Sequence, residues 1–206
     1  MKCYLTISRI EYVLFHLNLI LDLNSEIREN FVYCCDTSEI TELDHKIIFL
    51  LNQDDFNFSR IRKIEGTYVL FPHQKSEKEW EIVGSNIVFY HDYLKSAFYL
   101  LSGYQEYHIQ GVDKMGRFDY RNSIQNRLDV THVPLVNYYF ETISKGCAEF
   151  FKMRNINFHS KRLFKNFGFL LTHDVDKVKL YNFNNFLYRC KSLIGLGADT
   201  ETINYR

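Results

Sequence analysis

Residues 80–101, WEIVGSNIVFYHDYLKSAFYLL, decide the fold. The first half is rich in β-branched and aromatic residues around Gly84, which reads as strand material broken by a turn. After Asp92 the period changes. Leu94, Ala97, Phe98, Leu101 and, further on, Tyr104 recur at helical spacing, with Asp92 placed to cap the helix that carries them. Strand running into capped helix is a building block of layered α/β structure.

The chain before this stretch repeats the same vocabulary. RIEYVLFHLNLILD carries Ile10, Val13, Leu14, Leu17, Ile20 and Leu21 at i, i+3, i+4, i+7 and predicts an amphipathic helix. FVYCC, HKIIFLLN and GTYVLFP are short apolar runs bounded by NQDD, Gly66 and Pro72, and predict strands. Helix and strands alternating over the first 90 residues predict a mixed-sheet α/β domain. Downstream, GVDKMGRFDYRNS is a polar loop. VPLVNYYFETISKGCAEFF predicts a long helix with Pro134 in its first turn and a stripe of Leu135, Tyr138, Tyr139, Thr142 and Ile143. KMRNINFHSKRLFKN is polar and basic and reads as a linker.

The whole-chain numbers bound the function. Hydrophobic residues make up 46% and aromatics 17% of 206 residues, with 2 prolines, so a folded core is affordable and disorder is excluded. Lys+Arg 25 balances Asp+Glu 25, which gives no electrostatic footprint for nucleic acid or an anionic membrane. The longest apolar piece of the N-terminal region is shorter than the ~20 residues a membrane span needs, and no cleavage site follows it. The expected location is therefore the cytoplasm. Cys3, Cys34, Cys35, Cys147 and Cys190 lack zinc-type spacing and are expected as buried thiols. The triplet at Asn57 and the GLGAD turn near the end carry no functional signal.

Chemistry concentrates in FGFLLTHDVDKVK, residues 167–179. An apolar strand, 167–171, runs into Thr172, His173, Asp174 and Asp176. On an extended strand i and i+2 share a face, so Asp174 and Asp176 point together and His173 points away. Paired carboxylates suit metal-assisted hydrolysis: one holds a divalent ion that lowers the pKa of a water, the other takes the proton. His91, His108, His132 and His159 are scattered and are expected as surface or hydrogen-bonded histidines. Tyr104, Tyr107, Phe118 and Tyr120 are expected mainly as core, with stacking on sugar rings as the sharper reading.

FLLTHDVD resembles the first motif of the polysaccharide deacetylase (NodB-homology) superfamily, usually Thr-Phe-Asp-Asp-Gly, in the branch that carries Thr-His-Asp-Val-Asp. The upstream segments DYLKSAFYLLSGYQEY, DKMGRF and VPLVNYYFE resemble the uncharacterised domain that precedes the deacetylase domain in that branch; here Gly103 stands for an Arg and Gln105 for a Glu of its helix motif. The resemblance implies Asp174 as general base and Asp176 as metal ligand, with Thr172 and His173 as site neighbours. It implies a divalent metal, zinc or similar, and a glycan or glycan precursor as substrate. The superfamily's His-x-x-x-His ligand pair has no counterpart among the eight histidines. The expected organisation is thus an α/β accessory domain, 1–160, followed at 167–206 by the first strand and helix of an incomplete (β/α) barrel. Such a chain is expected to bind no metal and to be catalytically incomplete by itself, and to self-associate through the strand 167–171. The alternative is a non-catalytic carbohydrate-binding or protein-interaction module.

Overall fold

In the computed structural model of the chain, the structure describes residues 6–158 except 20, 22–24, 75, 109 and 110. The chain divides into two units, Met1–Lys165 and Asn166–Arg206; the described residues belong to the first. In chain order they form α1 (Ile7–Leu17), α2 (Ser25–Arg28), β1 (Phe31–Cys34), β2 (Ile47–Leu50), β3 (Arg62–Ile64), β4 (Thr67–Val69), β5 (Glu81–Val83), β6 (Asn86–Phe89), α3 (Tyr93–Leu101), α4 (Gln105–His108), α5 (Ile124–Arg127) and α6 (Leu135–Met153). Short 3-10 turns at Thr37–Glu42, Phe58–Arg60 and Tyr120–Asn122 lie between them.

The apolar runs pair as one mixed sheet in the order β1-β2-β6-β5. β2 lies parallel to both β1 and β6, with Ile47 opposite Phe31 on one side and Ile87 on the other. β5 closes the edge antiparallel to β6 through the turn at Gly84–Ser85. All four residues of β2 and of β6 are buried, as strands covered on both faces must be. The period of two sorts them. Phe31, Ile47, Phe49, Ile87 and Phe89 face the core shared with α1, α3 and α6; Cys34, Ile48, Leu50 and Val88 face a second cluster closed by Ile40 and Leu43. Phe49 stacks on Phe89 with ring centres 5.0 Å apart, and Phe31 meets Phe49 edge-on at 5.1 Å. Such pairs add about 0.5–1.5 kcal/mol beyond their burial.

α6 crosses this aromatic core with Tyr139, Ile143, Cys147 and Phe150 inward, all fully buried. Tyr138, placed in the stripe by sequence, is 42% exposed; the inward face runs through 139, 143, 147 and 150 instead. Pro134 occupies the N-cap position, one residue ahead of the first turn. Gly146 permits close approach: a Cβ there would stand 2.3 Å from Phe89 Cζ. The helix expected to run from the Asp92 cap through Tyr104 is broken in two. α3 stops at Leu101, Ser102 is its cap, and Gly103 adopts φ +62. Tyr104 N–H then donates to Tyr99 O and Gly103 N–H to Leu100 O, the paired bonds of a glycine-terminated helix.

β3 and β4 form a separate antiparallel hairpin, with Ile64 opposite Thr67. It is fastened to α6 by the Tyr139 hydroxyl, which donates to Tyr68 O at 2.6 Å. No helix among the described residues is long and apolar enough to cross a membrane. Cys34 and Cys147 are buried as expected, but Cys35 is exposed, because it follows the last residue of β1 and faces away from the sheet cluster that takes Cys34. The strand and helix expected after residue 167 lie outside the described residues.

Candidate functional site

In open sheets with parallel strands, polar chemistry gathers beyond the carboxyl ends of the strands. The ends of β2 and β6 carry such a group here. β6 continues through Tyr90 and His91 to Asp92, whose side chain is buried at the start of α3. One Asp92 oxygen accepts from Lys95 N–H at 2.7 Å; the other accepts from Asn52 N–H at 2.7 Å, just past β2. The Lys95 ammonium, also buried, donates to the carbonyls of Asn52 (2.9 Å) and Asp54 (2.7 Å). It stands 4.4 Å from the centre of the Phe71 ring. Ser96 Oγ donates to Asp92 O at 2.7 Å and accepts from Phe71 N–H at 3.3 Å. The helix cap, the loop after β2 and the chain after β4 are thereby locked to one another.

The electrostatics follow from burial. Asp92 has its carboxyl pushed up to about 6 by burial, against the pull of the two backbone N–H groups and of Lys95. His91, with 1% of its surface exposed, is held down to about 4, first by burial and further by Arg62 and His73; the Lys78 carbonyl and Glu77 oppose this. His91 Nδ1 accepts from His73 N–H at 3.0 Å, so the ring proton resides on Nε2. Nε2 is buried without a well-formed hydrogen bond. Beside it, the Arg62 guanidinium donates to the carbonyls of His73 (3.2 Å), Gln74 (3.1 Å) and Ser76 (3.4 Å) and pairs with Glu77. The loop between β4 and β5 is therefore wrapped around one arginine and capped by one histidine.

The segments singled out by resemblance also resolve into structural roles. Asp113 accepts from the N–H groups of Met115 (2.8 Å) and Arg117 (3.0 Å), and from Arg117 Nε (2.9 Å) and Nη2 (2.8 Å). Gly116, at φ +76, closes this turn, and Phe118 bridges back to Val112. Asp-x-x-Gly-Arg-Phe is thus a self-bonded loop. These bonds, with the backbone bond to Arg117 first, hold the Asp113 carboxyl below the usual range. Gln105 is buried; its Oε1 accepts from Ile124 N–H at 2.9 Å and its Nε2 donates to Gln125 Oε1 at 2.9 Å. A glutamate could accept but not donate, so the Gln in place of Glu suits this tie between α4 and α5.

Thr172, His173, Asp174 and Asp176 lie outside the described residues, as does His159. Among the described residues no group of three or more His, Cys, Asp or Glu side chains is placed to hold a metal ion. The four aromatic residues read together in the sequence separate. Tyr104 packs against Phe98, Tyr99 and His108, whereas Tyr107 is 82% exposed. Phe118 is half-buried, and the Tyr120 hydroxyl pairs with Thr131. His132 and His108 are exposed, as expected. Sequence reasoning missed Lys95, Asn52 and Arg62. The available signal was faint: a lysine three residues after a capping aspartate, inside an otherwise apolar helix.

Fold and site define an α/β domain whose buried polar groups are engaged in holding its own loops. Residues 3–152 match the family of unknown function DUF7033, and the chain belongs to that family. No curated protein and no solved structure matches it.

Proposed function

We propose that residues 6–158 are the non-catalytic accessory part of a metal-dependent glycan deacetylase, and that its chemistry resides in Thr172–Asp176. The deacetylase part of this reading rests on the resemblance of the motif, and one observation supports the non-catalytic part: the buried acid of the described domain, Asp92, has both oxygens engaged by backbone N–H groups at 2.7 Å. Such a carboxylate cannot turn toward a substrate water or a metal without unlocking α3. The family match, ending at 152, leaves the motif at 172–176 as separate material, which fits the same division.

Asp174 is the general base and Asp176 a metal ligand; His173 and Thr172 flank them. Two carboxylates and an imidazole are donors that zinc accepts, but catalytic centres use about three protein ligands and these carboxylates serve different roles. The reading therefore requires further ligands from elsewhere, the His-x-x-x-His pair of the resemblance. When bound, the ion supplies a water of lowered pKa. Asp174 would receive the proton of that water, and Asp176 would help to hold the ion.

The test is acetate release from an acetylated glycan by the complete translation product. Asp174→Asn should lower turnover by about 10²–10⁴-fold, the usual worth of a positioned base, with an unchanged melting temperature. Full activity in that variant refutes the assignment.

A further inference from the structure

The hairpin of β3 and β4 turns in two residues, Glu65 at φ +44 and Gly66 at φ +96. Both central residues positive is the hairpin turn that matches strand twist, and it is ordinarily filled by Asn-Gly or Asp-Gly. Glutamate has no short side chain to bond back to its own backbone, so its place in the left-handed region is unusual. A residue kept in a disfavoured conformation invites a search for what it does there.

Glu65 lines an open groove of about 400 Å³ between the hairpin and the start of α6. Lys63, Thr67, Tyr68, Val133 and Tyr138 line it as well. Its walls are fixed. Ile64, Val69 and Leu135 are buried in the core, and the Tyr139 hydroxyl bonds Tyr68 O. Within this frame Tyr138 keeps 42% of its surface exposed while its neighbour Tyr139 keeps none. The Lys63 ammonium stands 5.5 Å from the centre of the Tyr68 ring. The polar complement is one carboxylate, one ammonium and the three hydroxyls of Thr67, Tyr68 and Tyr138. Their charges cancel, so the groove favours a neutral ligand rich in donors and acceptors, with apolar faces to lay on tyrosine rings. The volume falls within the roughly 300–1,000 Å³ of ligand sites. A pyranose chain has this chemistry: C–H faces for the rings, and hydroxyls for Glu65, Lys63 and Thr67.

We infer that the groove between the β3–β4 hairpin and the N-terminal turn of α6 binds a neutral glycan chain, with Tyr68 and Tyr138 as platforms and Glu65 as hydroxyl acceptor. The inference takes its ligand class from the deacetylase reading above, but the groove's geometry is independent of it. An accessory domain holding the polymer would raise the local concentration of acetylated sugar available to the motif.

The experiment uses the 206-residue chain. It is titrated with tetra-N-acetylchitotetraose and with cellotetraose, one acetylated and one not, while backbone amide resonances are followed by NMR. Saturable shifts at residues 63–68 and 133–138 with either probe are expected. Tyr138→Ala and Glu65→Asn should each weaken binding about tenfold. Glu65→Asn is the decisive variant, since asparagine suits the turn: its melting temperature should hold or rise while affinity falls. No shift with either probe, shifts confined to other residues, or unchanged affinity in Glu65→Asn overturns the inference. Acetate release separates it from the catalytic reading. Loss of turnover in Asp174→Asn without groove binding removes only the groove; groove binding with full turnover in Asp174→Asn removes only the motif assignment.

Discussion

His91 and Asp92 are adjacent, buried and displaced in opposite directions, and this makes a sharp prediction about pH. Asp92 titrates near 6 in the fold against 3.8 for the unshifted group. A raised folded value means that its contribution to stability is fully present below 3.8 and is lost as pH rises through about 6. His91 titrates near 4 in the fold against 6.5. A lowered folded value means that its contribution is present above 6.5 and is lost as pH falls toward 4. At about 1.36 kcal/mol per pH unit, each amounts to about 3 kcal/mol across the window. Because the slopes oppose one another between about pH 4 and 6, the wild-type chain should show little pH dependence from this pair. Asp92→Asn removes one slope, and the variant should then lose about 2–3 kcal/mol between pH 6.5 and 4.5 relative to wild type. His91→Gln removes the other, and that variant should gain a similar amount over the same interval. Lys95 faces Asp92, and Arg62, His73 and Glu77 face His91; these partners are common to all three proteins, so the comparison isolates the pair. Urea unfolding at four pH values between 4.5 and 7.5 measures it. Parallel stability profiles in the three proteins would refute the reasoning.

Two further variants probe how the layers meet. Gly146→Ala should destabilise by about 1–3 kcal/mol despite alanine's better helix propensity, because the Phe89 ring it strikes is held between Phe49 and Tyr93. Thermal unfolding measures this, and the added Phe89→Leu should recover part of the loss. Tyr139→Phe should cost about 1–2 kcal/mol by leaving Tyr68 O without its buried donor. Hydrogen exchange should show the loss concentrated at residues 62–69, and uniform exchange would argue against it.

Legibility in the sequence tracked whether a signal was local. β2 and β6 could be read because IIFL and the IVF of β6 are continuous apolar runs, and Asp92 because a capping aspartate sits beside the helix it caps. β3 could not: Arg62-Lys63-Ile64 places one apolar side chain in the core, and its turn uses Glu-Gly in place of the usual pair. Nor could the break in the second helix be separated from its periodic stripe, although Gly103 was visible. The sheet order depends on pairing β2 with β6 across some 40 positions, which no local pattern encodes.

Lys95 shows why the polar centre stayed hidden. By composition a lysine in an amphipathic helix belongs on the solvent face, since burying an ammonium costs several kcal/mol unless it is paired. Its acceptors are the carbonyls of Asn52 and Asp54, 43 and 41 positions away. Those carbonyls are turned inward because Asn52 N–H is already bonded to Asp92. The lysine is thus tolerable inside only after the aspartate has fixed the loop, and the aspartate stays buried with the lysine's charge beside it. Neither residue predicts the other from the chain alone, yet each sets the condition for the other. That mutual requirement is why this junction reads as architecture, and why chemistry is better sought in the groove beside Glu65 and in the motif at Asp174.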